Sequence, residues 1–97
     1  DLADACIFLL EEKNAEDIGE IINIGTGQEV TVRQLAALVS EVVGFEGEQS
    51  FDPAKPDGTP RKLLDSSRLT ALGWQARTSL TEGLSMAYRD FLSSAWA

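Results

Sequence analysis

The residues whose types and spacing could bind a ligand are concentrated in one proline-rich segment, residues 51–65. Its charged side chains include Lys55, Asp57, Arg61 and Lys62. Prolines and a glycine fix the path of the backbone, so these side chains are presented at a low entropic cost. Cationic groups suit a diphosphate, and an aspartate suits sugar hydroxyls or a base edge. The segment predicts either a binding loop or a stiff connector whose charges only keep it hydrated.

Charge is distributed unevenly along the chain. The net charge is −8, yet four of the eight basic residues, ending with Arg68, fall between residues 55 and 68. A local cationic patch in an acidic protein suits a small anionic ligand, although hydrated ion pairs at a surface would give the same composition. The overall negative charge argues against nucleic acid and against an anionic membrane as partners.

The glycine turn at residues 25–27 occupies the position that a dinucleotide-binding turn would take. Gly25-Thr26-Gly27 lies between a predicted strand and a predicted helix. The third glycine of that motif is absent, because position 30 is Val30, whose side chain would hinder close packing of the helix. We therefore interpret the glycines as a tight turn and expect this chain to bind no cofactor.

Common catalytic groups are missing from the sequence. The absence of histidine excludes His-based triads and the commonest zinc sites. Tyr88 is followed four residues later by Leu92, so there is no Tyr-x-x-x-Lys pair for proton transfer. Trp74 and Trp96 could stack on a sugar or a base, although Trp74 follows a helix-ending glycine and is predicted to close the edge of the core.

An amphipathic helix is predicted at the start of the chain. Apolar residues recur at positions 2, 5, 6, 9 and 10, and Asp1 could cap the first turn. Because nothing precedes Asp1, we expect that an upstream partner of this helix is missing. Cys6, the single cysteine, is predicted to be a small core residue in a reducing, cytoplasmic compartment. The longest apolar stretches, such as Ala5–Leu10, are far too short to span a bilayer.

Capping residues predict three more helices. Each signal is a side chain that can accept a hydrogen bond from an unpaired N–H at a helix start. One helix is predicted to start at the capping box of Thr31 with Gln34 and to end at Gly44, and a short helix is predicted to start at Asp65 or Ser66 and to end at Gly73. The last helix is predicted to start at the capping box of Ser79 with Glu82.

Two short runs, residues 20–24 and 49–52, have the composition of strands. A strand, a helix and a strand in succession form a right-handed crossover unit, so the two strands should be parallel. The sequence therefore predicts one α/β domain over residues 1–97, with a small parallel sheet of two or three strands flanked by helices.

Five motifs together resemble the end of GDP-L-fucose synthases, a branch of the extended short-chain dehydrogenases. The similarity covers nearly the whole chain. The most specific motif is Lys-Pro-Asp-Gly-Thr-Pro-Arg-Lys-Leu-Leu-Asp, at residues 55–65. The other four are residues 22–27, 31–36, 72–74 and 79–84.

The resemblance implies an enzyme of two domains. An amino-terminal Rossmann domain would hold NADPH and the catalytic Ser, Tyr and Lys, and a smaller carboxy-terminal domain would hold the GDP-sugar. This chain would be the second domain without the first, so no cofactor is expected in it. By motif, Asp57 and Lys62 match positions that contact the nucleotide sugar, while Lys55 and Arg61 lie in the same motif. Cys6 lies in a helix and does not match the catalytic cysteine of the family.

Three functional hypotheses remain open. The chain could bind a GDP-sugar weakly without catalysing a reaction, it could be a self-assembling or partner-binding module, or it could have no independent role. A small core with an exposed helix and an exposed sheet edge leaves apolar surface uncovered. We therefore expect a homo-oligomer.

Overall fold

The computed structural model describes residues 1–95. Over this range the chain forms five helices and no β-strand. None of these helices has both the length and the apolar composition needed to cross a membrane. The helices are α1, Leu2–Glu12; α2, Ala15–Ile18; α3, Val32–Val43; α4, Ser67–Ala71; and α5, Leu80–Ser93.

The two segments predicted as strands are irregular and unpaired. Residues 20–24 and 49–52 form no backbone ladder with any other segment among residues 1–95. A strand requires a partner whose backbone exchanges hydrogen bonds with it, and the described residues supply none. The predicted parallel sheet is therefore not confirmed.

The chain divides into two compact units, each built from two separate stretches of sequence. The first unit combines Asp1–Glu29 with Lys62–Thr78 and contains α1, α2 and α4. The second combines Val30–Arg61 with the chain from Ser79 onward and contains α3 and α5. The single domain expected over residues 1–97 stays a prediction.

A small core lies in the first unit. Ala5 and Leu9 of α1 are buried together with Leu69 of α4 and with Trp74. The indole N–H of Trp74 donates to a carboxylate oxygen of Asp4 at 2.8 Å, so the one polar atom of this buried ring is satisfied. The prediction that Trp74 belongs to the core is confirmed.

Helix α1 forms as predicted, but it does not bury Cys6. The side chains of Ala5 and Leu9, four residues apart, lie on the buried face, and Cys6 is exposed. Leu10, which the spacing also assigned to the buried face, is 83% exposed. The apolar positions of α1 therefore occupy more of the helix surface than the first unit covers, and the prediction of a core cysteine is wrong.

Asp1 precedes α1 without capping it through its side chain. Its carboxylate instead accepts hydrogen bonds from the backbone N–H groups of Arg77, at 3.3 Å, and Thr78, at 3.1 Å. The residue predicted to serve the first turn therefore ties the start of the chain to a segment more than seventy residues away.

Helices α3 and α5 pack against each other in the second unit, and neither buries a residue. Both predicted capping boxes are present. The Thr31 hydroxyl oxygen accepts from the N–H of Gln34 at 3.0 Å, and the Ser79 hydroxyl oxygen accepts from the N–H of Glu82 at 3.2 Å. Hydrogen bonds from the backbone N–H and the hydroxyl of Ser79 hold the pKa of Glu82 below its usual range.

The segment predicted as a second strand is anchored to α3 by its side chains. The amide nitrogen of Gln49 donates to the Ala36 carbonyl oxygen at 3.1 Å and to the hydroxyl of Ser40. The guanidinium of Arg33 lies 4.3 Å from the centre of the Phe51 ring, within the range of a cation–π contact. These contacts hold residues 49–51 on α3 without strand pairing.

Candidate functional site

A cleft in the first unit brings the glycine turn of residues 25–28 against residues 62–64. Its volume is about 200 Å³, and the lining includes the cationic Lys62 beside Leu63 and Leu64. A methyl group built on Gly25 would lie 3.7 Å from the Cβ atom of Leu64, which shows how closely the two segments approach. Two motifs that are far apart in the sequence therefore form one concave surface.

Local hydrogen bonding shapes the glycine turn. The Thr26 hydroxyl oxygen accepts from the N–H of Gln28 at 3.2 Å, and Gly27 has a φ of +76°, in the left-handed region that favours glycine. The tight turn predicted from the sequence is therefore confirmed. The backbone N–H groups of residues 25–27 donate no hydrogen bond within residues 1–95. Free N–H groups near a lysine could contact an anionic oxygen.

A second cavity, of about 580 Å³, adjoins the same turn. It shares Thr26, Gly27, Leu63 and Leu64 with the first cavity and extends to α4. The residues that it adds carry mostly hydroxyl groups and one carboxylate: Asp65, Ser66, Ser67 and Thr70. The combined surface offers a cation at one side and hydroxyl groups at the other, a pattern that can bind an anionic, polyhydroxylated molecule.

Side-chain hydrogen bonds hold the two walls of the cleft together. The guanidinium of Arg68 donates to the carbonyl oxygen of Ile21 at 2.8 Å and to that of Ile18 at 2.5 Å. The amide of Asn23 donates to the carbonyl oxygen of Asp65 at 3.3 Å. Because Asp65 accepts from the hydroxyl and the backbone N–H of Ser67, its pKa is lowered. Asp65 therefore stays ionised at neutral pH beside the start of α4.

The four predicted binding residues belong to different units. Lys62 lies in the first unit, where it lines the cleft, whereas Lys55, Asp57 and Arg61 belong to the second unit. All four are exposed. Asp52, next to this segment, accepts from the N–H of Ala54 at 2.9 Å and fixes the turn that carries Lys55.

The two tryptophans that could stack on a ligand have different outcomes. Trp74 is buried and therefore does not present its ring to a sugar, while Trp96 lies outside the described residues. Among residues 1–95, no group of three or more His, Cys, Asp or Glu side chains is arranged to hold a metal ion.

Sequence reasoning missed two features of this site. It treated the glycine turn and the Lys62 segment as separate motifs, and it counted Arg68 only as part of a cationic patch. The Leu63-Leu64 pair next to Lys62 lines the cleft, but each side chain stays nearly half exposed, so the pair was only a weak signal in the sequence. No local signal identified Ile18 and Ile21 as the partners of Arg68.

Comparison with known proteins gives one consistent result. No protein-family model matches the chain. The chain is 57% identical over 94 residues to GDP-L-fucose synthase 1 of Arabidopsis thaliana and 44% identical over 100 residues to GDP-L-fucose synthase of Escherichia coli. Each match covers 97% of this chain but only 28% and 31%, respectively, of the relative. The resemblance found in the sequence motifs is confirmed, and the chain spans less than a third of the length of these relatives.

Solved structures give the same result. A GDP-6-OMe-4-keto-L-xylo-heptose reductase from C. jejuni has a TM-score of 0.88 and 33% identity, and the match covers 96% of this chain and 29% of that one. MlghC, a GDP-mannoheptose C4 reductase from Campylobacter jejuni, has a TM-score of 0.83 and 32% identity, with the same two coverages.

Proposed function

We propose that this chain, which matches the carboxy-terminal part of GDP-sugar reductases, contributes the GDP-sugar-binding surface of such a protein and catalyses no reaction alone. The observation that carries the proposal is the cleft in which Lys62 lies beside the glycine turn. Its cation and unpaired N–H groups suit the diphosphate of a nucleotide sugar. The names of the relatives support GDP as the nucleotide.

Each predicted residue has a distinct role in this proposal. Lys62 would donate a hydrogen bond to a diphosphate oxygen, because the lysine ammonium is a compact cation that attracts phosphate as a point charge. Asp57 would accept hydrogen bonds from sugar hydroxyls or from a base edge. Lys55 and Arg61, which lie in the same sequence motif, are the weaker candidates and would contribute positive charge. All four side chains are exposed, so a ligand can reach them without unfolding the chain.

The residues present do not fit NADPH. In a dinucleotide-binding turn the glycines lead directly into a helix whose N-terminus binds the diphosphate. Here α3 begins at Val32, five residues after Gly27, and the third glycine position is Val30. We therefore assign no step of a redox reaction to this chain. Any such reaction would depend on the part of the relatives that lies outside the match.

The α/β fold belongs to the same proposal. Residues 20–24 have the composition of a buried strand but no partner among residues 1–95. A longer chain of the length of the relatives could supply a neighbouring strand and convert residues 20–24 into part of a parallel sheet. Residues 49–52 would become a second strand by the same route, provided that Gln49 keeps its hydrogen bonds to α3.

Calorimetric titration with GDP and GDP-mannose tests the binding proposal. We expect weak, saturable binding that Lys62→Ala weakens by about tenfold or more, because a charge-assisted hydrogen bond to phosphate contributes about 1.5 to 3 kcal/mol. Lys13→Ala is the matched control, since it removes the same charge from a residue whose ammonium lies 5.9 Å from the Phe8 ring. Equal affinities of the wild type and Lys62→Ala would contradict the proposal.

We propose self-assembly as a second function, because many large apolar side chains of the described residues are exposed. Leu2, Ile7 and Leu10 of α1 are exposed, and α3 and α5 bury no residue. Association of two copies would cover part of this surface, so a homo-oligomer is the expected state.

A further inference from the structure

Arg68, a member of the predicted cationic patch, donates its guanidinium hydrogen bonds to backbone carbonyl oxygens. Its two terminal nitrogens donate to different oxygens, Nη1 to the Ile21 carbonyl and Nη2 to the Ile18 carbonyl. Gly19 lies beneath this contact, since a methyl group built there would be 3.7 Å from Nη2. The planar fork of an arginine suits such a double contact, because its donors are held at a fixed separation.

The two ends of this contact lie next to the two walls of the cleft. Ile18 and Ile21 precede the glycine turn, whereas Arg68 lies on α4, directly after the segment that carries Lys62. The Asn23 amide joins the same two stretches through the carbonyl oxygen of Asp65. These three hydrogen bonds therefore connect the chain before the turn to the chain after Lys62.

We propose that Arg68 is a positioning residue, whose double hydrogen bond fixes the Lys62 segment against the glycine turn and thereby sets the affinity for a diphosphate-containing ligand. The inference rests on the proposed function, in which Lys62 contacts the diphosphate. Arg68 acts on the ligand through the geometry of the cleft. Its charge is therefore not sufficient, because one ammonium cannot reproduce two donors at the spacing of a guanidinium.

The test compares Arg68→Lys and Arg68→Gln with the wild type by calorimetric titration with GDP-mannose. We expect both variants to lose about tenfold in affinity, which corresponds to about 1.4 kcal/mol. Arg89→Gln is the matched control, because Arg89 lies in the second unit, where its Nε donates to the Ser85 carbonyl oxygen within α5. Wild-type affinity in Arg68→Lys would overturn the proposal, since it would show that charge alone is sufficient.

A double-mutant cycle separates positioning from a general loss of stability. If Arg68 acts through Lys62, the combined effect of Arg68→Lys and Lys62→Ala equals the effect of Lys62→Ala alone. Additive effects of the two changes would mean that Arg68 acts independently of Lys62, and they would refute the positioning role. A parallel titration with inorganic phosphate shows whether the substitutions alter the affinity for a phosphate group by itself.

A measurement without ligand keeps the inference separate from the proposed function. If the wild type binds neither GDP nor GDP-mannose, the proposed function fails, but the role of Arg68 can still be measured. In that case ¹⁵N relaxation should show lower backbone order parameters in Arg68→Lys than in the wild type at residues 25–28 and 62–65. The order parameters of α5 should be the same in both proteins. Unchanged order at both walls would refute the inference even if binding were present.

Discussion

Truncation of Leu69 is the sharpest test of how the first unit is held together. Leu69 lies on α4 and is 1% exposed, the lowest value among the large apolar side chains of the core. Its neighbours in that core are Ala5, Leu9 and Trp74. Six partly buried apolar side chains also pack against this core, but a close-packed interior relaxes only partly around a missing isobutyl group.

The expected cost of Leu69→Ala follows from burial. Replacing a buried leucine by alanine removes its transfer free energy and leaves a cavity, which together cost about 2 to 5 kcal/mol. In a domain of this size each kcal/mol shifts the melting temperature by roughly 4 to 8 °C. We therefore expect Leu69→Ala to lower the melting temperature by at least about 8 °C.

Thermal and urea unfolding, followed by far-UV circular dichroism and tryptophan fluorescence, provide the measurement. Leu10→Ala, measured at a concentration at which light scattering shows a monomer, is the control, because it removes the same atoms from a side chain that is 83% exposed; it should then change stability by less than about 0.5 kcal/mol. Equal losses in the two variants would refute the assignment of the core. A change confined to Leu10→Ala would show that the other face of α1 is the buried one.

Three further outcomes are expected. Because the pKa of Glu82 is lowered, the ionised side chain stabilises α5 at every pH above the ordinary pKa of a glutamate, and this stabilisation is lost as the pH falls through the lowered pKa. Glu82→Gln keeps an acceptor for Ser79 but does not titrate, so circular dichroism of this variant should show no such loss of helix in acid. Light scattering coupled to size exclusion near 10 μM should show a mass above 10.5 kDa, and a clean species at that mass would remove the second proposed function. Fluorescence titration should show no saturable binding of NADPH below about 100 μM, and binding in that range would contradict the misfit of the glycine turn.

Helices were predictable because their signals are local. The capping boxes at Thr31 and Ser79 form with the predicted partners, and α3 ends at Gly44 with a φ of +74°. Each of these signals needs only the three or four residues around it, so it can be read without knowledge of the tertiary contacts. The capping box of Asn14 with Asp17 is built in the same way, but α2 was not predicted, because it spans only four residues and has no helical repeat of apolar residues.

Features that depend on distant residues were not predictable in the same way. The apolar positions of α1 extend round the helix, and only packing against Leu69 and Trp74 decides which of them are buried, so Cys6 was assigned wrongly. The strand pattern of residues 20–24 describes a preference for burial, but pairing depends on a neighbour. The cleft likewise depends on contacts between residues 25–28 and 62–64.

The interleaving of the two units constrains the order in which the chain can fold during synthesis. The first unit needs both Asp1–Glu29 and Lys62–Thr78, so a nascent chain cannot complete it before residue 78 has been made. Closing the intervening loop, Val30–Arg61, costs about 3 kcal/mol or more, because loop-closure entropy grows as the logarithm of its 32 residues. The hydrogen bonds from Arg77 and Thr78 to Asp1 must form late as well. A nascent chain that ends shortly before residue 62 therefore still lacks Leu69 and Trp74, the two residues that bury Ala5 and Leu9 of α1.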